Sequence, residues 1–337
     1  MQTSTMPQQN NTLTAVAGRL WKSEALQRIL AFAALVILII VFSLSSENFL
    51  GPRNIEGILI ATAVNGILAV GVTFVIITGG IDLSIGTVMT LSAVITAKVV
   101  SEAGAPLPIG ILAGILTGAL AGLINGVVIA RMRVPPFVAT LGMLYIAKGL
   151  SLVLSELAPI YFDRGSGFTD LATGVILQIP GVIEIPNGVL IMFGAALIGS
   201  FILFRTQLGR YTFALGSNEE AARISGVNTA RWKMIVYTVA GVFSGLAGVM
   251  IAARLNSAQP SLGQGYELDA IAAVVIGGTS LSGGEGSIFG TVIGAFVISV
   301  LTNGLRILSV PQEWQSVVTG AIIIVAVFLD MIRRRRS

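Results

Sequence analysis

The sequence predicts an all-α, polytopic membrane protein of about ten transmembrane helices interrupted by glycine-rich breaks. Three observations carry this. Of 337 residues, 54% are hydrophobic and only 11% charged, with a mean hydropathy of +0.90; a soluble chain would need more polar residues to cover its outward helix faces. Apolar runs long enough to cross about 30 Å of hydrocarbon recur along the chain. The basic residues also gather on alternate loops, as the positive-inside rule requires.

Taken in order, residues 1–28 form a polar tail, and ten apolar segments begin near Ile29, Gly57, Ser84, Leu107, Val134, Gly188, Trp232, Glu267, Ile288 and Glu313. The first lacks a small-residue cleavage site and reads as a retained span. The eighth, 267–279, is short for a full crossing and reads as a broken or re-entrant helix buried in protein. Residues 29–332 thus form one transmembrane domain, and 333–337 a basic tail. With the N-terminus inside, the cytoplasmic set is Arg19, Lys22, Arg28, Arg131, Arg133, Arg205, Arg210, Arg223, Arg231, Lys233 and Arg333 to Arg336, which is 14 of 20 Lys and Arg. Both termini are therefore expected in the cytoplasm. The long external segment 157–187 carries Asp163, Asp170 and Glu184 against Arg164.

The 40 glycines are placed rather than scattered. In AGILTGALAGLING, Gly114, Gly118, Gly122 and Gly126 lie four apart on one helical face, which admits another helix to backbone contact. Gly241 with Gly245, and Gly290 with Gly294, repeat the spacing. Close packing of a bundle explains all of these. Two internal resemblances compete. INGVVIARMRVPPF near Asn125 matches TNGLRILSVPQEW near Asn303, an offset of five spans that implies an inverted repeat. GGIDLSIG (79–86) matches GGTSLSGG (277–284), an offset of six that does not invert.

Enzyme chemistry finds few residues to work with. The chain has no cysteine and no histidine, which removes thiolate chemistry and the usual metal ligand and general base. It has no phosphate-binding G-x-x-x-x-G-K-[ST] loop, no G-x-S-x-G and no G-x-G-x-x-G. No catalytic residue, metal site or cofactor is expected, nor any nucleic-acid partner. Polar groups inside the spans are the alternative candidates. Asp82 and Ser84 in the first glycine break read either as lining a path or gate, or as a cap on the third helix, with the double glycine ending the second. Lys148 either snorkels to the interface or faces a pore. Asn65, Asn125 and Asn303 read as interhelical hydrogen bonds or as pore-lining amides.

The polar stretch NEEAARISG, 218–226, stands out from this background. It lies in the basic loop 205–233. Asn218 can cap a helix whose first turn holds Glu219 and Glu220, where the helix dipole favours them. Arg223 follows Glu219 by four, and Gly226 ends the helix. One to two turns result, with Ala221, Ala222 and Ile224 available to a partner, or simply a solvated loop helix.

Glu220-Ala221-Ala222, three residues, then Gly226 resembles the front half of the EAA loop in permease subunits of binding-protein-dependent ABC importers. The second half, Ile-x-Leu-Pro, is absent; Val236 and Thr238 stand there instead. VGVTFVIITGGIDLSIGTVMTLSA, RVPPFVATLGM, GRYTFALGSNEEAARISGVN and ARLNSAQPSLGQGYELDAIAAVVIGGTSLSGGEGSIFGTVIGA resemble the ribose-type monosaccharide permeases, from about Asn65 to the C-terminus. The resemblance implies a transporter subunit of a bacterial inner membrane that moves a monosaccharide by alternating access. It implies partners: a second permease copy, a sugar-type ATPase that holds ATP and Mg, and a periplasmic sugar-binding protein. It also makes Asn218, Glu219, Glu220, Ala221, Ala222, Arg223 and Gly226 the helix that docks on the ATPase. The alternatives are a permease for branched-chain amino acids, an ion-coupled transporter using a carboxylate such as Asp82, and a scaffold without transport.

Overall fold

The computed structural model describes residues 24–163, 165–179 and 183–335, and most of the expected N-terminal tail therefore lies outside it. Eleven α-helices occur among the described residues: α1 Glu24–Ser45, α2 Pro52–Ile77, α3 Ile85–Ala97, α4 Leu107–Ala130, α5 Pro136–Leu154, α6 Asn187–Arg205, α7 Gln207–Ile224, α8 Thr229–Leu255, α9 Tyr266–Ile276, α10 Ile288–Ile307 and α11 Gln312–Arg335. Every expected apolar segment is helical. Seven of these helices are long and apolar enough to cross a membrane: α2, α3 with its π-helical extension to Glu102, α4, α5, α6, α8 and α10. A count of ten spans is not confirmed. The helix expected to be short, α9, has 11 residues.

Local chemistry sets the ends. Pro52 and Pro136 open α2 and α5, where a missing N–H costs nothing. Asn228 caps α8 by accepting from the Arg231 N–H at 3.0 Å, and Ser287 caps α10 through Gly290 at 3.3 Å. Between α5 and α6, β1 (Ile160–Tyr161) pairs antiparallel with β4 (Ser257–Ala258), which follows α8. β2 (Val175–Ile179) and β3 (Ile183–Pro186) pair antiparallel with each other as a second, separate two-stranded sheet. The segment expected outside the membrane is therefore folded and tied to α8, with the Asn256 side chain donating to the Phe162 carbonyl at 3.1 Å.

The core is built around α2, which packs against α6, α8, α9 and α10 and is buried on all sides from Thr62 to Ile77. A helix apolar all round belongs in such a position. The outer faces of α4 and α5 are exposed and apolar, with Leu116, Leu120, Phe137 and Val153 more than half exposed, as lipid-facing helices require.

The glycine face of α4 meets α8. A methyl group at Gly118 would overlap the Gly241 carbonyl, one at Gly122 the Tyr237 carbonyl, and one at Gly245 would sit 2.7 Å from Ile115 Cα. Gly290 and Gly294 do the same for α10 against α9. Packing accounts for these glycines.

Leucine at Gly118 must push α4 away from α8, at a cost of at least about 1–3 kcal/mol. Thermal melts in detergent should show a clear loss for Gly118→Leu. Gly142→Leu is the control, since a methyl group there meets no atom within 4 Å.

Candidate functional site

The loop between α6 and α8 folds as one kinked helix rather than the isolated short turn expected from sequence. α7 runs Gln207–Ile224, but Asn218 inside it is extended (φ −162°, ψ 99°) and separates two helical pieces. The Asn218 Oδ1 accepts from the Ala221 N–H at 2.9 Å, so the expected cap is present on the second piece, 219–224. Gly226, with φ +86°, closes it, as Gly226 N–H donates to the Arg223 carbonyl at 3.0 Å.

The charges pair differently from the expected Glu219–Arg223 contact. Arg223 donates to Glu220 at 2.6 Å, three residues back, and this carboxylate raises the Arg223 pKa above its ordinary value. Glu219 instead accepts from Lys233 at 2.7 Å, in the first turns of α8. The capped turn is thereby anchored to α8. Ala222 is buried beneath it, while Ala221 and Ile224 are exposed, Ile224 at 78%.

The base of this turn sits on the two glycine motifs. The Gly284 N–H donates to the Ile77 carbonyl at 2.8 Å, joining the break after α9 to the end of α2. A methyl group at Gly216 would overlap that same carbonyl, and one at Gly284 would lie 3.2 Å from Ser217 Cα. Gly79, Gly283 and Gly284 have φ of +74°, +82° and +80°, accessible to glycine at no steric cost. GGIDLSIG and GGTSLSGG, read in sequence as one of two repeats, are neighbours in space.

On the other side of the first break, Asp82 is 2% exposed. Its Oδ1 accepts from the Ser84 N–H at 2.8 Å and the Ser84 hydroxyl at 2.6 Å, and Asn125 donates to that hydroxyl at 2.9 Å. Ser84 occupies the cap position of α3 but makes no side-chain cap bond, so neither residue is the simple cap that was one expectation. Asp82 closes a turn ahead of the helix, and Ser84 links it to α4. The Tyr237 hydroxyl donates to the Ile81 carbonyl at 3.4 Å, tying the break to α8 one turn beyond Lys233.

Asp82, Ser84 and Asn125 are thus brought together; the other two amides are not. Asn303 donates to Asn54 at 2.9 Å, joining α10 to the start of α2. Asn65, 5% exposed, lies three turns further along α2, and its Oδ1 has no hydrogen-bond partner. Lys148 donates to Gln264 at 3.2 Å. Among the described residues, no three acidic, histidine or cysteine side chains gather to hold a metal. Sequence reasoning missed Gly216, Lys233 and Tyr237; the double glycine at 283–284 and the four-residue spacing of Lys233 and Tyr237 are their faint signals.

Residues 54–327 match the family described as branched-chain amino acid transport system / permease component. The chain belongs to this permease family. It is 45% identical to the ribose import permease protein RbsC of Bacillus subtilis, over 90% of this chain and 93% of that protein. It is 42% identical to RbsC of Escherichia coli, covering 95% and 98%. The xylose transport system permease protein XylH of Escherichia coli is 35% identical, covering 94% of each. No solved structure matches the chain.

Asparagine at position 82 keeps an acceptor for both Ser84 bonds, whereas leucine strands two buried donors at about 1–3 kcal/mol each. Thermal melts of the permease should therefore show Asp82→Asn close to the unaltered protein and Asp82→Leu well below it.

Proposed function

We propose that this permease is the membrane-spanning subunit of an ABC importer for a ribose-like monosaccharide, working as a pair of copies by alternating access in a bacterial inner membrane. The observation that carries the reading is the capped, exposed turn 219–224, whose base rests on both interrupted-helix motifs. A partner that moves this turn moves the inner ends of α2, α9 and α10 with it. That partner is an ATPase subunit, which binds ATP and Mg; a periplasmic sugar-binding protein delivers the solute. The basic bias of 14 in 20 Lys and Arg supports cytoplasmic termini and a cytoplasmic turn.

Ribose is favoured over xylose by the higher identity to the ribose permeases. The interior also suits an uncharged solute. Among the described residues the fully buried charged side chains are the carboxylates Asp82 and Glu267, and Arg254 is partly buried within electrostatic reach of Tyr266 and Arg306. So few buried charges suit a neutral sugar. Ion coupling is not favoured, because the Asp82 carboxylate already accepts from both Ser84 donors, and among the described residues Glu267 is the other buried carboxylate.

The test is reconstitution in vesicles with the ATPase and binding protein, using labelled ribose. Uptake should require all three components and ATP, and should vanish in Glu220→Lys and Gly226→Pro variants that still insert. Uptake by this chain alone, driven by an ion gradient and lost in Asp82→Asn, would overturn the reading. Gly216→Val tests the link behind the turn: the ATPase should still bind while uptake falls at least about tenfold, because the wedge against Ile77 and Gly284 is forced apart.

A further inference from the structure

Beside the capped turn lies a cavity of about 510 Å³. One wall is the capped turn itself, through Glu219, Glu220 and Arg223, and Lys233 lines it from α8. The opposite wall is the connection between α4 and α5, through Arg133, Val134 and Pro135. This second wall is not part of the loop that the sequence singled out.

The charges of the cavity are not balanced. Glu220 is taken by Arg223 and Glu219 by Lys233, so both carboxylates already have cations. Arg133 remains. It is exposed, and it makes no ion pair or hydrogen bond among the described residues. Arg131, also exposed, stands two residues away. The occupant this chemistry fits is anionic.

The backbone holds Arg133 in place. Its φ of +59° is a left-handed conformation that non-glycine residues rarely adopt, and Pro135 and Pro136 follow close behind as the rigid entry to α5. Two large exposed apolar side chains adjoin lining residues in sequence: Met132 beside Arg133, 67% exposed, and Ile224 beside Arg223, 78% exposed. Apolar anchors around an unpaired arginine are the composition of a protein-docking surface.

We propose that residues 131–135 form a second docking element for the ATPase subunit, in which Arg133 pairs with a carboxylate of that subunit seated between this connection and the capped turn. The inference rests on the importer reading. It is argued from the shared cavity: Glu219, Glu220 and Arg223 of the turn line the same opening as Arg133, so a protein seated on the turn lies beside this unpaired arginine, and a carboxylate is its complementary partner. Two contact points on different helices would also fix the direction in which the ATPase pushes.

The experiment uses the full permease with the ATPase that supports uptake in vesicles. A photo-reactive benzoyl-phenylalanine at Met132 should cross-link to the ATPase subunit, identified by mass. Arg133→Glu should weaken ATPase binding at least about tenfold and flatten its salt dependence, and Arg133→Lys should restore most of both. Glu220→Lys is run in parallel. If it weakens binding while Arg133→Glu does not and position 132 stays uncoupled, the second element is overturned and the importer reading stands. Cross-linking to anionic phospholipid with unchanged ATPase affinity likewise overturns it in favour of a lipid headgroup. Failure of the unaltered permease to bind the ATPase overturns both readings. Should Arg133→Glu lose its thermal transition, the cross-link at 132 in the otherwise unaltered chain decides.

Discussion

A helix interrupted within a buried interior leaves carbonyl and N–H groups that water does not serve, and each must find a partner in the protein. This constraint organises the molecule. At the end of α2, Gly79 and Gly80 turn back onto the Ile76 and Val75 carbonyls, and the Ile77 carbonyl is taken by the Gly284 N–H at 2.8 Å. After α9, Thr279 returns to Val274 and Ser280 to the Glu285 carbonyl, while the Thr279 hydroxyl receives the Ser287 N–H at 3.3 Å. The first break is not self-sufficient: the second supplies the donor that it lacks. Bonds of this kind between backbones require that no side chain intervene, and so both motifs carry paired glycines.

The same constraint explains why α8 has a dual role. Its glycines accept α4 at backbone distance, which fixes its height in the bundle. Held at that height, it presents Lys233 to Glu219 on the capped turn and Tyr237 to the Ile81 carbonyl in the first break. One rigid element thus touches the exposed turn and the interior hinge within about one turn of its length. The salt bridge is half-exposed and screened, so it positions rather than stabilises. The buried bonds around Asp82, Ser84 and Asn125 are the costly ones to disturb, because each group lost strands another.

Much of this was legible in the sequence, for a definite physical reason. Apolar runs and the four-residue spacing of Gly114 to Gly126 are properties of one helix and its immediate surroundings, and they named helices and a packing face correctly. The Asn218 cap is also local, resting on one side chain and an amide three residues on. What failed was lateral. Hydropathy showed that segments are buried but not what lies beside them, so the resemblance of GGIDLSIG to GGTSLSGG gave no sign that the two motifs touch. Glu219 was given its helical neighbour Arg223, while its partner Lys233 lies across a turn that sequence could not close. The short eighth segment was also legible, because its length is a local property: α9 has 11 residues. Family resemblance supplied the proposed docking role for the 219–224 turn, which physics alone left open between a partner-facing and a solvated helix.

Backbone contact also bears on how a displacement would travel. Between two helices separated by side chains, a small shift is absorbed by rotamers at each layer. Where Gly216 rests on Ile77 and Ile77 accepts from Gly284, there are no rotamers to absorb it, and the close-packed interior compresses little. Such a junction either holds or moves as a unit, which is the property a two-state gate requires. The glycines that let the chain break in the buried interior are therefore the same ones that join the broken ends at backbone distance.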